Sequence, residues 1–196
     1  LSMHQFPSAG AGYRKCLEGW AKAGSRDVEP SAALLDDYLK SDTLASAKRV
    51  LTDNGLRIVS GAVGVTGLWE PNPNFSKNLD AFKKRCEQFA ELGAPLVYSP
   101  CATGAKFTPD DYSRCLDNIR QGAEVAGQFR LKVAAEFVRN STFLASLPTA
   151  LRLHREAAHP NFGILFDCYH FWSGPSKFED MDLIRPGVSA PLAETP

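Results

Sequence analysis

The chain has 196 residues, 44% of them hydrophobic and 22% charged, so it can bury one sizeable core. Its 22 basic and 22 acidic residues leave a formal net charge of zero, which does not favour nucleic acid or an anionic membrane surface as a partner. Its apolar stretches are too short to span a bilayer, and five cysteines without CxxC spacing are typical of reduced thiols in a cytoplasmic protein.

The N-terminal part of the chain alternates short β-rich segments with longer amphipathic ones. Residues 2–6 predict a first strand, and residues 11–24 predict a helix that ends at a glycine. A short second strand is predicted to end at Glu29. Two helices follow, one capped by Ser31 and one over residues 44–52.

The central part continues the same alternation. Residues 56–64 are β-branched and predict a third strand, whereas residues 67–75 are rich in Pro and Asn and predict a long loop. Residues 79–93 carry apolar side chains at helical spacing. A fourth strand is predicted over 94–100, and a helix with Pro in its first turn over about 108–127.

The C-terminal part contains two further strands. They are predicted over 131–138 and 162–167, with a helix over about 141–158 between them. Residues 175–184 predict a short sixth helix, and residues 187–196 have no strand pattern. The sequence therefore predicts one domain over residues 1–186 followed by an irregular tail.

The spacing of the strand ends indicates the fold class. Successive strand ends lie about 30 to 40 residues apart, which is one βα unit each, so the strands are expected to be parallel with right-handed crossovers. An open doubly wound sheet and a closed (β/α)8 barrel both fit this pattern. The first turn reads AGAGY without a third glycine, which is weak support for a dinucleotide-binding sheet.

Acidic residues end three of the predicted strands. They are Glu29, Glu136 and Asp167, and His170 follows three residues after the last of them. Burying an unpaired carboxylate is costly unless a cation compensates it, and carboxylate with imidazole suits Mn, Mg, Co or Zn. The alternative is that each acid caps a helix or pairs with an arginine such as Arg139.

Two other positions are open to two interpretations. His4 lies in the first strand, where it either faces the site or is a hydrogen-bonded core histidine. Trp69 and Phe75 lie in the long third loop, where they either form an apolar wall over the carbon face of a sugar or pack as ordinary loop residues.

Taken together, the motifs resemble the xylose isomerase-like superfamily of sugar isomerases and epimerases. The matching features are the Glu of GSRDVEP, the Glu of VAAEFV and the D-x-x-H of FDCYH, over residues 2–186. The resemblance implies a (β/α)8 TIM-barrel fold, of which about six βα units are present in this chain. It also implies a divalent metal, a small sugar or sugar phosphate as substrate, and a place in carbohydrate metabolism.

The resemblance also implies a role for each site residue. Glu136 would ligate the metal and exchange a proton with the substrate, and Asp167 would be a second ligand. The predicted substrate-binding residues are His170, Glu29, His4 and Trp69. The implied reaction is isomerisation or epimerisation by proton transfer next to a carbonyl, through a metal-stabilised enediolate. A keto-inositol dehydratase would begin with the same proton abstraction.

The chain departs from the family pattern at its C-terminal end. A complete barrel needs about 250 residues and eight βα units, and the family's further His and Glu ligands lie on strands seven and eight. We expect a truncated enzyme sequence, in preference to a chain completed by a second copy in a homo-oligomer or an inactive fragment. The alternatives are a non-catalytic barrel fragment that binds a partner or small ligand and, less favoured with four His and no net positive charge, an abasic-site endonuclease.

Overall fold

The computed structural model describes residues 1–184. Its strands are β1 (Ser2–His4), β2 (Asp27–Glu29), β3 (Arg57–Ile58), β4 (Gly61–Ala62), β5 (Leu96–Pro100), β6 (Lys132–Glu136) and β7 (Phe162–Leu165). Its α-helices are α1 (Gly12–Lys22), α2 (Ala32–Leu39), α3 (Leu44–Asp53), α4 (Phe75–Leu92), α5 (Pro109–Gln128), α6 (Leu147–Ala157) and α7 (Cys168–Ser173). Two 3-10 helices cover Phe6–Ala11 and Phe178–Leu183. The predicted domain end at residue 186 and the tail 187–196 lie outside the described residues.

All strand pairs in the described chain are parallel. One ladder runs β1-β2-β3 and the other β4-β5-β6-β7. A parallel bridge between Ser31 and Ala62 joins the two ladders, and the Ala62 N–H donates to the Pro30 carbonyl at 3.0 Å. The strands therefore follow one another in chain order, with all their carboxyl ends at one edge, which confirms the predicted βα units.

The predicted third strand is divided in two. β3 pairs with β2 through Ile58 and Val28, whereas β4 pairs with β5 through Gly61 and Val97. A Cβ at Gly61 would overlap the aromatic ring of Phe89 from α4. Glycine at this position therefore lets helix α4 approach the backbone of β4 closely.

Several predicted element boundaries are wrong. The first strand ends at His4 instead of residue 6, and α4 begins at Phe75, inside the segment predicted as loop. Helix α6 begins after Ser146, whose hydroxyl accepts the Thr149 N–H, instead of at residue 141 or 142. The Ser141 hydroxyl accepts N–H groups from the next residues of its own loop, so it stabilises a turn and not a helix.

Alternation along the strands separates two packing faces. Val97, Val133, Ala135 and Ile164 belong to the large core shared with the helices, together with fully buried residues such as Phe82. The opposite face carries a small separate cluster of Leu96, Tyr98, Ala134 and Leu165, against which Ala62 packs. Ala62, Tyr98 and Leu165 of this inner face line a cavity at the carboxyl ends of the strands. Within residues 1–184, we find no helix with both the length and the apolar character needed to cross a membrane.

Candidate active site

Glu136, Asp167 and His170 converge at the carboxyl ends of β6 and β7. Their potential ligand atoms all lie within 4.8 Å of one another. The parallel register pairs Glu136 with Leu165, and Asp167 follows two residues later on the same side of the strand. The neighbouring strands therefore bring the two carboxylates together, although they lie 31 positions apart in the chain.

Helix α7 places His170 beside Asp167. Asp167 is the N-cap of this helix, and its Oδ1 accepts the backbone N–H of His170 at 2.7 Å. The ring of His170 makes a separate contact, in which its Nδ1 accepts the backbone N–H of Arg139 at 3.5 Å. In the neutral ring this contact puts the proton on Nε2, which makes His170 a hydrogen-bond donor.

Glu136 and Asp167 have no lysine or arginine partner among residues 1–184. None of the ion pairs within the described part of the chain includes Glu136 or Asp167. Burial raises the pKa of Glu136 to about 7, and the charge of Asp167 contributes to the rise. The two uncompensated carboxylates form a donor set that fits a divalent cation, and the His170 ring lies beside them.

A cavity of about 590 Å³ opens beside the two carboxylates. Its lining includes His4, Glu29, Tyr98, Glu136 and Asp167. The structure thus brings four of the predicted site residues, from β1, β2, β6 and the end of β7, to the same cavity. His170 lies next to this cavity through its contact with Asp167.

His4 and Glu29 lie on neighbouring strands and pair in register. The Ser2 hydroxyl donates to the Glu29 carboxylate. His4 Nδ1 accepts the Phe6 N–H at 3.3 Å, and its buried Nε2 has no hydrogen-bond partner among the described residues. Burial lowers the pKa of His4 despite the opposing effect of Glu29, so the ring is neutral and offers an Nε2–H donor.

Trp69 and Phe75 do not line this cavity. Trp69 is fully buried; its indole N–H donates to the Ser99 carbonyl at 3.0 Å, and its ring lies 5.8 Å from that of Phe162. Phe75 begins α4 and lines a separate cavity of about 530 Å³ with Arg114. The contacts of Trp69 favour packing, and Phe75 is away from the cavity beside the carboxylates.

Sequence reasoning missed Tyr98. Its side chain lines the cavity, is only 8% exposed, and forms no hydrogen bond through its hydroxyl within residues 1–184. Burial raises the pKa of Tyr98, and the three carboxylates of the cavity raise it further, so the phenol remains neutral. The available signal was alternation in LVYSP, which puts Tyr98 and Pro100 on one face of β5.

The family model described as "xylose isomerase-like TIM barrel" matches residues 18–190. The chain belongs to this family, and the predicted fold is confirmed. Among curated proteins, the inosose isomerase of Halalkalibacterium halodurans is 24% identical over 151 residues, which is 76% of this chain and 54% of that protein. The 3-dehydroshikimate dehydratase of Bacillus anthracis is 27% identical over 122 residues, 59% of this chain and 43% of that protein. The chain thus spans about half the length of these relatives.

Solved structures share the same fold. The IOLI protein, in a crystal structure with a bound zinc atom, superposes with a TM-score of 0.82 at 17% identity. The superposition covers 93% of this chain and 68% of the IOLI chain.

Proposed function

We propose that the chain carries the metal site of a sugar isomerase or epimerase that moves a proton next to a carbonyl group. The observation that carries this proposal is the convergence of Glu136, Asp167 and His170, whose ligand atoms lie within 4.8 Å of one another. The names of the inosose isomerase relative and the zinc-bound IOLI structure support the same class of chemistry.

The proposed metal is a divalent cation held by Glu136 and Asp167. When bound, it would supply Lewis-acid chemistry by polarising the carbonyl oxygen of the substrate. Carboxylate ligands suit Mn, Mg, Co and Zn alike, and zinc in the IOLI structure is one precedent.

Glu136 is proposed as the base. Its carboxylate takes the proton from the carbon next to the carbonyl. The electron pair of the broken C–H bond forms a C=C bond while the carbonyl π pair moves to oxygen, which gives an enediolate. Return of this proton to the former carbonyl carbon, with transfer of the neighbouring hydroxyl proton to the former carbonyl oxygen, completes an aldose–ketose isomerisation. Epimerisation instead needs a second acid that returns a proton to the opposite face of the same carbon.

His170 is proposed to hold a substrate oxygen. Because its Nδ1 accepts the Arg139 N–H, its Nε2–H can donate to the oxygen on which negative charge develops. This role and direct metal ligation are mutually exclusive for Nε2, since a nitrogen that carries a proton has no lone pair for a metal.

A dehydratase is the second candidate. It is favoured by the 3-dehydroshikimate dehydratase relative. Removal of the same proton by Glu136, followed by departure of a hydroxyl from the next carbon as water, would give an unsaturated ketone. The two candidates share the metal site and the first proton transfer, and they differ in the step after it.

Proton exchange tests the proposal directly. The full chain loaded with Mn, Mg, Co or Zn would be incubated in deuterium oxide with inosose or D-fructose, and deuterium at the carbon next to the carbonyl measured by NMR. We expect metal-dependent uptake that Glu136→Gln lowers by roughly 100-fold or more. The matched control is Glu87→Gln, which removes an exposed carboxylate of α4 and should leave uptake unchanged. Uptake that is independent of metal, or equal in Glu136→Gln, would contradict the proposal.

A further inference from the structure

Several polar residues line the cavity beside the proposed metal site. His4, Glu29 and Tyr98 form what we call the polar wall. The parallel register places His4 next to Glu29, and the ring centroids of His4 and Tyr98 lie 6.4 Å apart. The polar wall is therefore one cluster, contributed by β1, β2 and β5.

Each member of the polar wall has hydrogen-bonding capacity that the described protein leaves unused. Tyr98 lines the cavity, and its hydroxyl forms no hydrogen bond within residues 1–184. The buried Nε2 of His4 likewise has no partner there, and Glu29 receives one hydrogen bond, from Ser2. A buried ring nitrogen is normally hydrogen-bonded, so the unused Nε2 of His4, beside the free capacity of Tyr98 and Glu29, indicates a polar ligand.

The chemistry of the unused groups matches hydroxyl groups. His4 Nε2–H and the Tyr98 hydroxyl can donate, while the Glu29 carboxylate accepts. A hydroxyl both donates and accepts, so neighbouring hydroxyls of a polyol can satisfy donors and acceptor together. A phosphate or carboxylate lacks a proton to give to Glu29 at neutral pH.

The charge of the cavity also disfavours an anionic ligand. Its described lining holds three carboxylates, Glu29, Glu136 and Asp167, and neither Lys nor Arg. The guanidinium of Arg139, which follows β6, lies 5.4 Å from the ring centroid of Tyr169 and is not part of the lining. A divalent cation at Glu136 and Asp167 would offset those two charges and leave Glu29 unpaired.

We infer that the substrate of this site is an uncharged polyhydroxy ketone whose hydroxyls bind the polar wall, and not a sugar phosphate or a carboxylate-bearing ring. The inference rests on the proposed function and chooses between its substrate classes. In this inference Tyr98, which lies outside the metal site, binds the substrate.

Calorimetric titration tests the inference with matched compounds. The metal-loaded full chain is titrated with D-fructose, D-fructose 6-phosphate, inosose and 3-dehydroshikimate, and deuterium uptake is recorded in parallel. We expect each neutral ketone to bind at least about tenfold more tightly than its anionic counterpart. Tyr98→Phe should lower the affinity for the neutral ketones by about tenfold and leave the metal affinity unchanged. Glu29→Gln should reduce the difference in binding affinity between D-fructose and D-fructose 6-phosphate, whereas Glu87→Gln should leave that difference unchanged.

The outcomes separate the two proposals. Equal or tighter binding of the phosphate or of 3-dehydroshikimate, with metal-dependent exchange intact, overturns the neutral-substrate inference and leaves the proposed function standing. Undiminished ketone binding by Tyr98→Phe overturns the role of the polar wall. Absence of both metal-dependent binding and exchange for all four compounds overturns the proposed function itself.

Discussion

Asp167 accepts the backbone N–H of His170 at 2.7 Å, so one carboxylate both begins helix α7 and lies within the proposed metal site. The cap uses Oδ1 and leaves the second oxygen for other contacts. The local fold and the proposed chemistry therefore depend on the same side chain.

Substitution of Asp167 can separate these two roles. Asparagine retains a capping oxygen but loses the charge, so Asp167→Asn should keep the stability of the protein and weaken Mn or Zn binding by more than about tenfold. Asp167→Ala should weaken binding similarly and also lower the free energy of unfolding by about 1 kcal/mol. Urea unfolding and metal titration measure the two effects. Unchanged metal affinity in Asp167→Asn would remove Asp167 from the site.

Glu136 should make the stability of the metal-free protein depend on pH. Its pKa in the folded protein is about 7, above its ordinary value of 4.5, so the folded state holds the proton more tightly. The free energy of unfolding should therefore fall as pH rises from about 4.5 to 7, by an amount on the order of 2 kcal/mol. Urea unfolding in the presence of EDTA measures it.

The matched variant for this pH dependence is Glu136→Gln, which cannot ionise and should lack this decrease. Added divalent metal should abolish or reverse this decrease between about pH 4.5 and 7, because a cation favours the ionised carboxylate and so lowers the pKa of Glu136 in the folded protein. A pH profile shared by the wild type and Glu136→Gln would show that another group is responsible.

Trp69 should contribute to stability and not to ligand affinity. Phenylalanine at this position loses the hydrogen bond to the Ser99 carbonyl and part of the contact with Phe162. We expect Trp69→Phe to lower the free energy of unfolding by about 2 kcal/mol while ketone affinity, measured by calorimetry, stays unchanged. A selective loss of affinity without loss of stability would instead restore its predicted substrate-binding role.

Gly61 and Gly19 should respond in opposite directions to alanine. A Cβ at Gly61 would overlap the Phe89 ring, so Gly61→Ala should destabilise the protein by about 1–3 kcal/mol. Gly19 lies exposed within α1, where a Cβ meets nothing within 4 Å, so Gly19→Ala should stabilise it by about 0.5–1 kcal/mol. Thermal or urea unfolding measures whether each substitution raises or lowers the free energy of unfolding. Equal effects at both positions would contradict the close approach of α4 to β4.

Most of the fold could be predicted because its signals are local. Apolar spacing identified the helix that the structure places at Phe75–Leu92, and Pro after Thr108 marked the start of α5. Parallel strands carry their carboxyl ends to one edge, so three acids at strand ends predicted a shared site. The structure brings Glu29, Glu136 and Asp167 to one cavity, while their functional roles remain predictions.

Other features depend on neighbours that lie far away in the chain. Ser141 and Ser146 are both capable of capping a helix, and only their surroundings make the first a turn residue and the second the cap of α6. The sequence alone determined the parallel βα order and the acids at the strand ends, because both arise from short-range patterns. Tertiary structure decided that Tyr98 faces the cavity and Trp69 the core, because the direction of a side chain depends on strand register and on which helix packs against it.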